Sequence, residues 1–201
     1  GIEVAGFSKN TETPLAKELD YIIANPCGDC EGSYLMFFLL ALKLLHNRGE
    51  FPDYEKFADQ MANLYQNLLR IREEFEPKAA EIAKAYAKEP YNIFVGSGTL
   101  WGETYLFSMC ILEEMQWVRT KSVTSADFFH GTLELVEKDV PVFLFKGEDE
   151  YRALDERVER FCKTVTEKLT VIDTKEYKLE GIDDKFRVIC SPMILTALVT
   201  E

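Results

Sequence analysis

Two short words in this sequence carry residue types able to move protons. Glu114 sits in Cys110-Ile-Leu-Glu-Glu-Met-Gln-Trp117, late in an otherwise apolar helical stretch. A carboxylate buried among Leu112, Met115 and Trp117 would resist ionisation, which suits a base that takes and returns a proton near neutral pH. Glu113, one position away on a helix, points elsewhere, toward solvent or a helix partner. His130, one of two histidines, lies in Ser125-Ala-Asp-Phe-Phe-His-Gly131. Ser125 reads there as the N-cap of a short helix, Phe128 and Phe129 as its anchor, and Gly131 as a place for the backbone to bend. Residue type alone leaves a surface glutamate and a structural histidine open as readings. His46, near the C-terminal end of a long apolar helix, is explained as a helix-end cation.

A third word, Gly96-Ser97-Gly98, follows the strand-like Ile93-Phe-Val95 and precedes a helix. Ligands of open parallel sheets bind at such strand ends, and small residues let backbone amides approach an anion. Ser97 is therefore a candidate substrate contact, with a tight turn as the plainer alternative. The spacing is neither a P-loop, since the lysine is missing, nor a dinucleotide fingerprint. Cys27-Gly-Asp-Cys30 has the spacing of half a zinc site or a redox pair, but no second CxxC or histidine pair completes a set. No metal and no cofactor are expected.

These groups need a scaffold. Segments 2–7 and 20–24 read as short buried strands joined by a loop and short helix, and 33–47 as a helix. A long amphipathic stretch from Phe51-Pro-Asp53 to about Lys88 repeats Phe57, Met61, Leu64, Leu68, Ile71 and Phe75 along one helical face. Pro77 is expected to divide it. From Tyr91 strands alternate with helices. The strands are Ile93–Val95, Lys121–Thr124, Val140–Phe145, Leu169–Asp173 and Arg187–Cys190; the helices are Leu100–Trp117, Asp127–Val136 and Glu150–Thr164. That alternation predicts right-handed βαβ units and an α/β three-layer sandwich with a five-stranded parallel sheet.

The 201 residues are 47% hydrophobic, enough to fill a core. A formal charge of -12 argues against a nucleic-acid partner, which needs a basic face, but leaves room for a small anionic substrate. The apolar run from Tyr34 to Leu45 is shorter than the roughly 20 residues a membrane span needs. No export pattern opens the chain, and five scattered cysteines suit a reducing cytoplasm. Gly1 without a methionine, and an end inside the helical 193–201, read as truncation at both ends.

Segment 91–192 resembles the second domain of the SIS (sugar isomerase) proteins, especially the fructosamine-6-phosphate deglycases. The resemblance lies in Glu114-Met-Gln-Trp117 and Asp127-Phe-Phe-His-Gly131, with Glu114 and His130 sixteen residues apart. A similar spacing marks the isomerase half of glucosamine-6-phosphate synthase. Thr13-Pro-Leu-Ala-Lys17 with Asp20-Tyr-Ile22 looks like the close of a first SIS domain, and Phe51-Pro-Asp-Tyr54 like the start of inter-domain helices. Where relatives read Gly-Glu before Phe-Phe-His and Gly-Pro after it, this chain has Ala126-Asp127 and Gly131-Thr132. Arg119 and Lys121 also depart from the family pattern, which bears on the leaving group.

The resemblance implies three parts: residues 1–50 as the remnant of a first SIS domain, 51–90 as linker helices, and 91–201 as a second SIS domain. It implies a cytoplasmic, homodimeric enzyme that cleaves a fructosamine 6-phosphate to an aldose 6-phosphate and an amine. Glu114 and His130 would be the acid/base pair, approaching each other across the dimer, and the phosphate loops would precede Gly1, leaving this chain inactive by itself. Two alternatives stand beside it. One is a ketose–aldose isomerase or glucosamine-6-phosphate deaminase using the same pair, and the other a non-catalytic sugar-phosphate sensor, which would not need the pair.

Overall fold

The structure, a computed structural model, describes residues 1–25 and 28–200. The chain forms two compact units, Gly1–Tyr54 and Glu55–Glu201.

In the first unit, β1 (Ala5–Ser8) and β2 (Tyr21–Ala24) pair in parallel, with Ala5 opposite Tyr21. Between them α1 (Pro14–Lys17) begins where Thr13 Oγ1 accepts the Ala16 amide at 3.1 Å. Pro14 takes a first-turn position at which a missing N–H costs nothing. α2 (Cys30–Asn47) starts earlier than its apolar residues suggest, because Asp29 Oδ1 accepts the Gly32 amide at 2.8 Å and caps it. His46 falls in its last turn. Cys27 lies outside the described residues, and the Cys27–Cys30 reading with it. Among the described residues, no group of three or more His, Cys, Asp or Glu side chains could hold a metal ion, and no helix is long and apolar enough to cross a membrane.

The second unit opens within α3 (Tyr54–Gln60), from Glu55 onward, and continues through a 3-10 turn at Met61–Asn63 into α4 (Leu64–Tyr86). Its buried face carries Phe57, Met61, Leu64, Leu68, Ile71 and Phe75, the residues of the repeat. Pro77 does not divide α4 as expected; the break falls at the 3-10 turn instead. Pro77 and Glu73, whose carbonyl the proline leaves without a donor, both lie on the exposed face. Water can satisfy the carbonyl there, so the helix continues.

The sheet comprises β3 (Asn92–Gly96), β4 (Thr120–Val123), β5 (Val142–Lys146) and β6 (Leu169–Asp173), all parallel, in the order β4-β3-β5-β6. Every residue of β3 and β5 is buried, as central strands covered on both faces must be. Alternate side chains divide between the faces. Ile93, Val95, Val142 and Leu144 meet α6 (Ser125–Phe128) and α7 (Arg152–Val165) through Phe128, Val158 and Cys162. On the other face Phe94 stacks on Phe143 at 4.7 Å and meets Phe107 edge-on at 5.6 Å. α5 (Trp101–Leu106) and α8 (Arg187–Val199) lie on that side, with α4 packed against α8. This is the expected three-layer α/β sandwich.

The sheet has four strands rather than five. Arg187–Cys190, expected as the last strand, is the first turn of α8. Every residue from Cys190 to Val199 is buried, so no periodicity separates a buried strand from a buried helix there. The helical choice is visible in side-chain back-bonding, Ser191 Oγ to the Arg187 carbonyl at 3.0 Å and Thr196 Oγ1 to the Pro192 carbonyl at 2.9 Å.

Candidate functional site

Glu114 belongs to a π-helical segment, Phe107–Met115, that continues α5. Insertions of this kind are rare and recur at functional sites. The segment stops in a two-bond cap: the Trp117 amide donates to the Glu113 carbonyl at 3.2 Å and the Val118 amide to the Leu112 carbonyl at 2.9 Å. Such a cap puts one residue in the left-handed region, here Trp117 at φ 59, where glycine is usual. A tryptophan there costs roughly 1–2 kcal/mol. Glu113 accepts from the Thr120 hydroxyl, which ties it to β4. Glu114, the next residue, is turned to the surface. The expected burial is not found: Met115 is 64% exposed and Trp117 89% exposed, so these apolar neighbours leave the carboxylate in solvent within one chain.

His130 follows α6, with its amide donating to the Asp127 carbonyl at 2.9 Å and its side chain exposed. The aromatic anchor is present. Phe128 is fully buried, edge-on to Phe129 and Phe161, and the Arg157 guanidinium covers the Phe129 ring at 3.9 Å. The cap differs from the expected one: Thr124 Oγ1 accepts the Asp127 amide at 3.1 Å, and Ser125 is the first helical residue. Thr124 has the extended ψ of 156 that an N-cap requires, and this frees the Ser125 hydroxyl for another partner.

Topology separates the two residues. α5 leaves the C-terminal end of β3 and its continuation runs back to the start of β4, so Glu114 lies toward the N-terminal edge of the sheet. His130 comes after the C-terminal end of β4. One chain therefore displays the acid/base candidates at different edges.

A crevice of about 580 Å³ opens at the C-terminal edge, lined among others by Ser97, Gly98, Thr99, Trp101, Asp149 and Tyr151. β3 connects onward to β4 and β5 to β6, in opposite directions, so this is the switch point at which open α/β sheets bind ligands. Ser97 borders it but is nearly buried, its Oγ accepting the Ser125 amide at 2.7 Å. Asp149 Oδ2 accepts from the Thr99 amide at 2.6 Å and the Thr99 hydroxyl at 2.9 Å. Gly98, at φ +55, makes that approach possible, since a Cβ there would lie 2.1 Å from the same oxygen.

Behind the crevice Asp155 on α7 is fully buried, and burial pushes its carboxyl up to about 6 despite hydrogen bonds from Ser125 and Gly147 that favour the ion. From the ordinary 3.8 up to about 6 the folded chain holds this proton and the unfolded chain does not. Stability is thus expected to fall as pH rises through that window, by about 3 kcal/mol in all, and to lose this slope above it. Urea titrations at pH 4, 5, 6 and 7 check this, and Asp155→Asn should flatten the profile. Neither Asp149 nor Asp155 was singled out from sequence. Gly147-Glu-Asp-Glu150 after an apolar strand was the available signal, the counterpart of Gly96-Ser97-Gly98.

No protein-family model matches the chain. It is 31% identical over 195 residues to the fructosamine deglycase FrlB of Bacillus subtilis (strain 168), covering 94% of this chain and 58% of that protein. It is 26% identical over 178 residues to the fructoselysine 6-phosphate deglycase of Escherichia coli (strain K12), covering 88% of this chain and 52% of that one. The chain thus spans a little over half the length of these relatives. A crystal structure from Bacillus subtilis, described as a phosphosugar isomerase, superposes with a TM-score of 0.90 at 28% identity, over 98% of this chain and 61% of that one. The chain is a homologue of the fructosamine deglycases with the SIS (sugar isomerase) fold.

Proposed function

We propose that the protein is a deglycase that hydrolyses a fructosamine 6-phosphate to an aldose 6-phosphate and a free amine. The observation that carries this reading is the Glu114/His130 pair, sixteen residues apart and exposed at different edges of the sheet in a chain whose relatives are deglycases. In a homodimer His130 of one subunit serves the site of Glu114 in the other. The partner's cover would also supply the desolvation that Glu114 lacks in one chain. His130 moves a proton at the ring oxygen to open the sugar. Glu114 takes a proton from C1 to give the enaminol and returns one at C2; the resulting imine is hydrolysed by water. The adjacent carbonyl or iminium acidifies the C1–H bond, so no metal enters the scheme. Ser97 has a hydroxyl proton to offer a substrate at the crevice. The setting is cytoplasmic.

A second reading, ketose–aldose isomerisation, draws on 27% identity over 172 residues to a glutamine--fructose-6-phosphate aminotransferase [isomerizing] of Fusobacterium nucleatum. One assay separates the two. A protein carrying both lobes is offered 6-phosphofructosyl amines and fructose 6-phosphate, with release of amine and of aldose phosphate followed. Deglycation predicts stoichiometric amine from the former, and isomerisation turnover of the latter alone. Absence of both would leave a sugar-phosphate sensor. The 201-residue chain by itself is expected to turn over neither, because phosphate binding supplies much of the energy that places C1 against the carboxylate.

A further inference from the structure

Asp155 stands in the first turn of α7, fully buried, and no step of the proposed chemistry uses it. Its Oδ1 accepts from the Ser125 hydroxyl at 2.5 Å and its Oδ2 from the Gly147 amide at 3.3 Å. Ser125 donates its amide in turn to Ser97 Oγ at 2.7 Å. One carboxylate therefore ties the turns that follow β3, β4 and β5 to a single point on α7. These turns border the crevice, and the one after β4 continues directly into the segment that presents His130.

That segment is short, and its attachments can be named. α6 has four residues, too few to hold its own direction, so its orientation is set by what grips it at each end. At the far end Phe128 is fully buried and Phe129 lies under Arg157. An aromatic anchor fixes depth but permits rotation about the chain. At the near end Ser125 is gripped through both its hydroxyl and its amide, each in a direction-sensitive hydrogen bond. Ser125 is itself fully buried, so losing its acceptor would leave a dry hydroxyl to seek another partner by shifting the turn.

We propose that Asp155 is a positioning residue for His130, its carboxylate holding Ser125 and thereby setting the direction from which segment 124–131 presents the imidazole. The structural half of this stands on the hydrogen bonds above; its kinetic consequence rests on the deglycase reading. A displacement of about 1 Å in a proton-transfer group can cost roughly 100-fold in rate while substrate binding persists. Asparagine keeps an oxygen for the Ser125 hydroxyl, whereas alanine removes it, so the pair separates loss of the grip from loss of the charge.

The first measurement needs no activity. Hydrogen–deuterium exchange of the full 201-residue chain should show Asp155→Ala raising exchange across 124–131 by about tenfold or more, with β3 and β5 unchanged, and Asp155→Asn restoring most of the protection. The second is made in a protein carrying both lobes. There Asp155→Ala should lower kcat per folded molecule by about 10- to 100-fold with KM within about twofold, and Asn should recover most of it. Unchanged exchange in 124–131, or a rise spread evenly over the sheet, overturns the proposal. So does localised exchange with an unaltered kcat in an active parent. A wild-type parent without deglycase turnover overturns the functional reading instead, and the exchange experiment then decides the positioning claim alone.

Discussion

Glu114→Gln, in a protein carrying both lobes, is expected to lower kcat on a 6-phosphofructosyl amine by about 10²- to 10⁴-fold while KM stays near its wild-type value. Glutamine preserves shape and hydrogen bonding but cannot accept the C1 proton, so the loss falls on the chemical step. His130→Asn should also slow turnover, more for a cyclic substrate than for an analogue unable to close its ring. Because one chain shows the two residues at different edges of the sheet, the variants should complement each other. Mixed subunits would include heterodimers with one intact Glu114/His130 site, restoring about a quarter of wild-type activity from two nearly inactive preparations. A mixture no more active than its components would place the pair within one subunit. Sedimentation showing only monomer at micromolar concentration would count against the shared site as well. Retention of most activity by Glu114→Gln would falsify the mechanism itself.

The largest expected loss of stability comes from Glu148→Ala. Glu148 receives two hydrogen bonds from Arg187, Nε at 2.8 Å and Nη2 at 2.7 Å, with side chains only 9% and 11% exposed. Arg187 also donates to the Thr174 carbonyl at 3.1 Å, so the pair joins the turn after β6 to the start of α8. The neighbouring carboxylate raises the guanidinium above its ordinary pKa, so it stays charged. Removing Glu148 leaves that cation nearly buried without its anion, a change that costs about 3–5 kcal/mol. The melting temperature of the sheet unit should fall on the order of 10 °C. Glu148→Gln with Arg187→Met, which removes both charges and keeps the volume, should lie much closer to wild type. Urea unfolding followed by circular dichroism reads both; a single-variant loss below about 1 kcal/mol would show that water reaches the pair and screens it.

What the sequence determined by itself was local. β6 was legible at both ends, and β3, β4 and β5 to within a few residues; in β3 and β5 a continuous apolar run between turn residues has little choice but a buried strand, whereas the polar Thr120–Val123 was legible only from the alternation of strands and helices around it. The buried face of α4 followed from its period, and the Glu114 and His130 words stood out because polar groups in apolar surroundings need a reason. Tertiary structure decided what depended on residues distant in sequence. Pro77 was free to sit inside α4 because its side of the helix faces water. Arg187–Cys190 opens α8 rather than a fifth strand, and Arg187 there meets Glu148, 39 residues earlier. Ser125 gave up the cap to Thr124 and turned to Asp155, 30 residues on. Glu114 remained in solvent because the chain reverses at Trp117 instead of folding its apolar neighbours over the carboxylate. A pattern of residue types carries the period of an element and the chemistry of a side chain. It does not carry the direction from which another element will arrive, and burial, ion pairing and the choice of cap all depend on that direction.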